Sequence, residues 1–222
     1  MSVRRRLGVS LALLLPLLAL AAASARQDLD RATRATPDVE HGAELFVQCV
    51  SCHGGNGAGQ SNGNTPRIAG QHYPVLLKQL VDFRHGKRWD FRMEEQADRH
   101  HLQGPQDIAD VAAYVSRLPT DGERGIGDGT YATEGAFIFG SYCAVCHGPS
   151  GQGDAKKAVP RLGGQHYAYL MRQMYDAVDG RRLNLNRIHA EKIEPLDFEQ
   201  VRAVSDYLAR IEWVGTTQTP PK

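Results

Sequence analysis

All four cysteines of this 222-residue chain fall into two C-x-x-C-H units, which cover residues 49–53 and 143–147. Two thiols three positions apart on a helical turn can each form a thioether with a vinyl group of one haem, while the adjacent histidine reaches the iron from the same side. The pattern therefore predicts two covalently attached haem c groups and leaves no cysteine for a disulfide. The residues predicted to hold them are Cys49, Cys52 and His53 in the first unit and Cys143, Cys146 and His147 in the second.

Paired cysteines have two other common uses. A zinc site would need a further Cys or His pair at ligand spacing beside each unit. A redox-active dithiol would need a βαβ context, and the sequence has no convincing strand pattern. Covalent haem is the interpretation that accounts for both units, and these two uses are its alternatives.

The two units belong to a longer duplication. When each residue is compared with the one 94 positions later, 17 of the 40 positions in 49–88 match those in 143–182. The matches include P-R-[IL]-[AG]-G-Q-H-Y at 66–73 and 160–167, and a Gly-x-Arg that ends at Arg88 or Arg182. The chain is therefore predicted to be two copies of one module. The expected ranges are 38–120 for domain 1, 121–129 for a Gly-rich linker, 130–214 for domain 2 and 215–222 for a flexible tail.

Each module is predicted to contain three main helices. The first carries the cysteines and is expected to begin near Asp38 or Thr133, whose side chains can cap free amides. The others are expected at about 73–85 and 106–118, with counterparts at about 167–179 and near the C-terminus. Modules of about 80 residues have marginal apolar cores, so a haem would supply the missing core of an all-α fold.

The first 25 residues have the form of a secretory signal. Three arginines precede an apolar stretch, and a small-residue site ends at Ala25. We expect cleavage after Ala25 and a periplasmic location, with an uncleaved anchor as the alternative. The rest of the composition is unremarkable in charge, with 26 basic and 25 acidic residues, so nucleic-acid binding is not expected.

With these motifs, the sequence resembles class I cytochromes c, and in its duplication the two-domain dihaem cytochromes c of the "c-four" type. The resemblance covers roughly residues 38–214. It implies that the carbonyls of Pro66 and Pro160 accept the proximal histidine protons, and that a methionine after Gly-x-Arg is the sixth iron ligand. It also implies haem propionate contacts for a set of arginines, each of which could instead be solvated: Arg67, Arg88, Arg161 and Arg182.

The sixth ligands are predicted to differ between the modules. Met93 is the methionine in the loop after Gly-x-Arg in module one, with His100 and His101 as its rivals. Module two has no methionine in the equivalent loop, but His189 aligns locally with Met93 and lies 18 residues before Tyr207. We therefore expect His53/Met93 for haem 1 and His147/His189 for haem 2, with an open or water-bound iron as the alternative at haem 2.

Two six-coordinate haems suit an electron carrier, because electron transfer needs no open iron site. The expected partners are redox proteins, one of which could belong to a membrane-bound complex. The alternatives are an enzyme subunit, such as a dihaem peroxidase or a small-molecule dehydrogenase, and a gas-ligand sensor. Either would use a displaceable or open sixth position at haem 2. No catalytic base or substrate pocket can be named from the sequence.

Overall fold

The computed structural model of the protein describes residues 24–212. The predicted tail at 215–222 and all but the last two residues of the predicted signal lie outside this range. None of the helices within it is long and apolar enough to cross a membrane.

Both halves of the structure are built from helices. In domain 1 the helices are α1 (24–34), α2 (Val39–Phe46), α3 (Val50–His53), α4 (Tyr73–Arg84), α5 (Phe91–Gln96) and α6 (Pro105–Arg117). In domain 2 they are α7 (Ala132–Ile138), α8 (Ala144–His147), α9 (Tyr167–Val178), α10 (Arg187–Ile193) and α11 (Phe198–Arg210). Extended pairing in residues 24–212 is limited to one isolated bridge between Asp154 and Val159. The prediction of an all-α fold with two similar halves is therefore confirmed.

In each domain the helix that precedes the cysteine pair packs against the last helix, α2 on α6 and α7 on α11. An aromatic pair joins them in both, with ring centroids 5.4 Å apart for Phe46 and Tyr114 and 5.7 Å apart for Phe139 and Tyr207. These contacts form the centre of two separate apolar clusters. The repeated sequence therefore produces a repeated core.

Domain 2 has one residue more than domain 1 between the packed phenylalanine and the first cysteine. Phe46 corresponds to Phe139 at an offset of 93, whereas Cys49 corresponds to Cys143 at an offset of 94. Domain 1 connects the two with a 3₁₀ turn, and domain 2 uses a π-helical turn at Phe139–Cys143. A π turn accommodates an extra residue without ending the helix, so the packing before it and the haem motif after it both keep their register.

The predicted helix ends are correct in several places and wrong in one. Asp38 caps α2 by accepting hydrogen bonds from the amides of Glu40 and His41, as predicted. Helices α4 and α9 stop before Gly86 and Gly180, which have positive φ angles of 61° and 71°. The prediction of Thr133 as a cap was wrong: α7 begins at Ala132 and Tyr131 precedes it without a side-chain cap.

Three helices lie where no helix was predicted, namely α1, α5 and α10. Helix α1 extends the packed unit of domain 1 beyond the predicted boundary at residue 38, because Ala25 and Ala32 are buried in its apolar cluster. The expected cleavage after Ala25 would remove the first described residues of this helix. Helices α5 and α10 lie in the loops that carry the two predicted sixth ligands.

The two domains meet through their G-Q-H-Y segments. The ring of His72 donates from Nε2 to the carbonyl of Gln152 at 2.8 Å, and the ring of His166 donates to the carbonyl of Ala58 at the same distance. Both histidines are buried. The contact is reciprocal, so the same segment of each module faces the other module.

Candidate haem-binding sites

The histidines of the two C-x-x-C-H units have the same environment. His53 ends α3 and His147 ends α8, and both are buried. Their Nδ1 atoms donate to the carbonyls of Pro66 at 3.1 Å and Pro160 at 3.0 Å. Burial is the main cause that lowers the pKa of both imidazoles. Each ring is therefore held as a neutral tautomer with Nε2 free to bind a metal ion.

The cysteine environments do not favour thiolate chemistry. Burial raises the pKa of Cys49 to about 11, and the neighbouring Cys52 adds to the rise. The same kinds of effect raise the pKa of Cys143. Thiolates are the reactive form in dithiol exchange and zinc binding, and the raised pKa values of Cys49 and Cys143 disfavour that form. In residues 24–212, the one group of side chains close enough to share a metal ion, His41 with Asp107 and Asp110, contains no cysteine.

The structure brings the rings of His189 and His147 close together. Their ring centroids are 6.0 Å apart and the ring planes cross at 66°. A metal–imidazole bond is about 2 Å long, so two such bonds in line, together with the two rings, span about this separation. Burial lowers the pKa of His189 to about 4, with His147 and Arg182 adding to the effect, so its imidazole is neutral and able to act as a ligand.

Met93 occupies the equivalent place in domain 1. It is the third residue of α5 after the cap Asp90, and His189 is the third residue of α10 after the cap Asn186. The charge of Arg92, the residue before Met93, lowers the pKa of His53, and the charge of the cap Asp90 raises it. The start of α5 is therefore close to the proximal histidine of domain 1.

The rival ligands of haem 1 are directed elsewhere. His100 is exposed on the turn after α5. The ring of His101 lies 3.0 Å from the carbonyl of Glu95 and 3.2 Å from the carboxylate of Asp98. In domain 2, Met174 packs against the apolar cluster. These placements favour Met93 over the two histidines as the candidate ligand of haem 1.

Three of the four arginines suggested for propionates are buried, Arg182 is partly buried, and their contacts differ. Arg67 donates to the linker carbonyls of Thr120 and Gly122 at 2.7 and 2.9 Å. Arg88 donates to Gln79 in its own domain and to Tyr169 and Gln173 in the other. The main chain of Arg161 is bound by the side chain of Gln71.

Arg182 lies in surroundings that are unfavourable for its positive charge. Its Nε atom is buried without a hydrogen-bond partner. Burial, followed by the nearby charge of Arg88, lowers its pKa to about 10. An anionic group beside Arg182 would offset both effects, which suits a haem propionate.

The donor set of each domain therefore fits a haem c group. Two thiols lie on the turn before a buried, neutral histidine, and a second candidate ligand follows after the α4 or α9 helix. The bound group would supply a one-electron iron centre. The buried histidines and the second candidate ligands would hold this group, and their hydrogen bonds and apolar surroundings would tune its potential.

Sequence reasoning missed the role of the interface residues. His72 and His166 are buried residues that form hydrogen bonds between the domains. The adjacent Gln71 and Gln165 also cross the interface. The exact repetition of G-Q-H-Y in both modules was the available signal.

Comparison with known proteins also divides the chain into two similar domains. Residues 39–119 and 132–212 each match the family model described as cytochrome c. Cytochrome c4 of Pseudomonas aeruginosa is 32% identical over 184 residues, with 78% of this chain and 89% of that protein covered. The thiosulfate dehydrogenase electron acceptor of Stutzerimonas stutzeri is 30% identical over 183 residues, with 78% and 82% covered.

A solved structure shows the same organisation. The crystal structure of reduced recombinant cytochrome c4 from Pseudomonas stutzeri superposes with a TM-score of 0.70 at 30% identity, covering 80% of this chain and all of that one. The resemblance to dihaem class I cytochromes c is thus confirmed. The chain belongs to the cytochrome c family, as two tandem cytochrome c domains that carry two covalently bound haem c groups for electron transport.

Proposed function

We propose that the protein is an exported electron carrier whose two haems have different axial ligands, His53/Met93 in domain 1 and His147/His189 in domain 2. The observation that supports this most directly is the 6.0 Å separation of the His147 and His189 rings. The matching positions of Met93 and His189 after the caps of α5 and α10 add to it.

Different ligands would give the two haems different potentials. A methionine ligand raises the potential of a cytochrome c haem, and a second histidine lowers it relative to methionine. Haem 1 would therefore hold the electron in the half-reduced protein. Electrons would enter at haem 2 and pass to haem 1 before leaving for an acceptor.

Spectroscopy of the oxidised protein tests the ligand assignment. We expect the near-infrared band of methionine-ligated ferric haem at the intensity of one haem, and two separate midpoint potentials. Met93→Ala should abolish the band. His189→Met, the matched variant, should increase it towards two haems and raise the lower potential. A band from two haems in the unaltered protein, or one shared potential, would contradict the assignment.

The compartment and partner form part of the same proposal. The signal-like residues 1–25 support export to the periplasm, where soluble or membrane-bound redox proteins would be the donor and acceptor. A relative is named as an electron acceptor of thiosulfate dehydrogenase, so a dehydrogenase of a small sulfur compound is the first donor to test. Reduction of the purified protein by such an enzyme with its substrate would support this, whereas no reduction would remove that donor class.

An enzymatic or gas-sensing role at haem 2 is the second candidate. It is favoured by the position of His189 on α10, a short helix on which Arg187 and Ile188 are strongly exposed. Carbon monoxide added to the reduced protein distinguishes the two functions. Slow or absent binding supports the carrier, and rapid binding at one haem supports a displaceable His189.

A further inference from the structure

Each proximal histidine is connected to the opposite domain through a single peptide group. In domain 1, His53 donates to the carbonyl of Pro66. The N–H of the same peptide group, which belongs to Arg67, donates to the side-chain oxygen of Gln165 at 2.9 Å. Gln165 lies in domain 2, so the hydrogen-bonded chain from the haem 1 ligand crosses the interface after one peptide.

The reverse connection is also present. His147 donates to the carbonyl of Pro160, and the N–H of Arg161 donates to the side-chain oxygen of Gln71 at 2.9 Å. Gln71 lies in domain 1. The glutamine of each domain therefore completes the hydrogen-bond network behind the haem ligand of the other.

Each glutamine side chain forms hydrogen bonds through both its oxygen and its nitrogen. The Nε2 of Gln165 donates to the carbonyl of Arg67 at 2.8 Å, and the Nε2 of Gln71 donates to the carbonyl of Arg161 at 3.0 Å. Each side-chain oxygen also accepts the next main-chain amide, that of His166 or His72, at 3.0 Å. Gln165 is only 6% exposed. These contacts fix which amide atom faces the peptide N–H.

A hydrogen bond at one end of a peptide group changes the other end. Donation from the N–H increases the negative charge on the carbonyl oxygen, because hydrogen bonds in a chain polarise one another. A more negative carbonyl accepts more strongly from the histidine Nδ1–H, which makes the imidazole a stronger electron donor to the iron. A stronger donor favours ferric iron and lowers the potential.

We infer that Gln165 sets the potential of haem 1 and Gln71 sets the potential of haem 2, each acting across the domain interface through the peptide that binds the proximal histidine. Neither glutamine is a ligand, so both are positioning residues. The inference requires His53 and His147 as proximal ligands but is independent of the sixth ligands, so it stands or falls separately from the Met93 and His189 assignments.

The test uses the holoprotein with Gln165→Leu and, as the reciprocal variant, Gln71→Leu. Gln165→Leu is expected to raise the midpoint potential of haem 1 and leave that of haem 2 unchanged, and Gln71→Leu is expected to do the reverse. Nuclear magnetic resonance of the reduced protein assigns each effect to a domain: the Nδ1–H proton of His53 should shift upfield in the first variant, and that of His147 in the second.

Two further variants separate tuning from damage to the interface. Arg172→Gln removes side-chain donors to the carbonyls of Gly63 and Asn64 across the same interface, but it is outside both peptide connections and should shift neither Nδ1–H proton. Gln165→Glu is isosteric and keeps an acceptor for the Arg67 N–H, so it should leave the haem 1 potential equal to or below that of the unaltered protein.

Certain results would overturn the inference. Equal shifts of both potentials in Gln165→Leu, a shift confined to haem 2, or an unchanged Nδ1–H resonance would each show that Gln165 does not act on His53. If the leucine variant does not incorporate haem, Gln165→Glu decides: a rise in the haem 1 potential would contradict the proposed direction.

Discussion

Gly42 and Gly135 are single residues on which the packing of each domain depends. A Cβ atom on Gly42 would lie 2.1 Å from the carbonyl oxygen of Asp110, and one on Gly135 would lie 1.9 Å from that of Ala203. Neither glycine has a positive φ, so the requirement is for space between helices. Helices α2 and α6, and likewise α7 and α11, can approach closely only because these positions lack side chains.

Substitution of either glycine by alanine is therefore expected to destabilise the holoprotein. Gly135→Ala should cost about 1–3 kcal/mol through overpacking against α11. The control is Gly140→Ala, because nothing lies within 4 Å of a Cβ added there; it should be neutral or stabilising by about 0.5–1 kcal/mol. Denaturant unfolding measures both. Equal effects of the two variants would show that helix contact is not the cause.

At the residue scale, the sequence was sufficient to predict residues whose partners are close to them in the chain. The capping carboxylate of Asp38 and the helix-ending glycines Gly86 and Gly180 were identifiable because their partners lie within a few residues. The requirement for Gly42 was not, because its constraint comes from a carbonyl on α6, 68 residues away. A glycine in a helix looks unfavourable until the crossing helix is known.

At the element scale, α1 is tied to domain 1 by a buried charge. The carboxylate of Asp28 lies 3.0 Å from Nε2 of His85 and 3.2 Å from the guanidinium of Arg99. The buried Arg84 lies 3.9 Å away and donates to the carbonyls of Ala97 and Leu102. This cluster joins α1 and α4 to the loop that follows α5.

Asp28→Asn is expected to destabilise domain 1 by about 3 kcal/mol, because it leaves the buried charge of Arg84 without its carboxylate. Arg99→Gln is the control: its side chain is 59% exposed, so its loss should cost less than about 1 kcal/mol. Thermal unfolding gives the stability, and hydrogen exchange in residues 24–34 reports whether α1 detaches. Unchanged exchange in Asp28→Asn would show that the cluster does not hold α1.

The elements that sequence could predict were those long enough to show periodicity. Helices α4, α6, α9 and α11 each have 12 or 13 residues, and their apolar spacing defines a buried face. Helices α5 and α10 have six and seven residues, fewer than two full turns. Their signal was the cap three residues before the ligand position, which a search for periodic faces does not detect.

At the scale of the whole molecule, His166 connects domain 2 to both the linker and domain 1. Its Nδ1 accepts from the Gly125 amide at 3.1 Å, while its Nε2 donates to the carbonyl of Ala58. This arrangement requires a neutral ring. Burial lowers the pKa of His166, and Arg67 lowers it further, against the opposing effects of the Ala58 carbonyl and Glu123.

Acid is therefore expected to weaken the coupling of the domains. A histidine whose folded pKa lies below its unfolded value of about 6.5 stabilises fully above that value and loses this contribution as the pH falls through the folded pKa. Calorimetry should show one joint unfolding transition near pH 7 and a broader or divided transition near pH 5. His166→Gln, which cannot titrate, should have a smaller pH response. An equal response would assign the effect to other groups.

The duplication predicted two similar domains, but it did not predict how they face each other. Sequence similarity places the same residues in each copy, whereas the interface depends on which surfaces remain uncovered after each core has formed. His166 illustrates the difference: its identity repeats that of His72, yet one of its two partners, Gly125, lies in the linker between the domains.

The reciprocal glutamine contacts also bear on the origin of the molecule. A surface on which residue i binds residue j while j binds i is the kind that relates identical subunits by a twofold axis. A single module with the G-Q-H-Y segment could form the same bonds with a second copy of itself. Fusion of two such modules would then have joined partners that already fitted. Once they were in one chain, each copy could acquire its own features, as the π turn of domain 2 and the helix α1 of domain 1 illustrate.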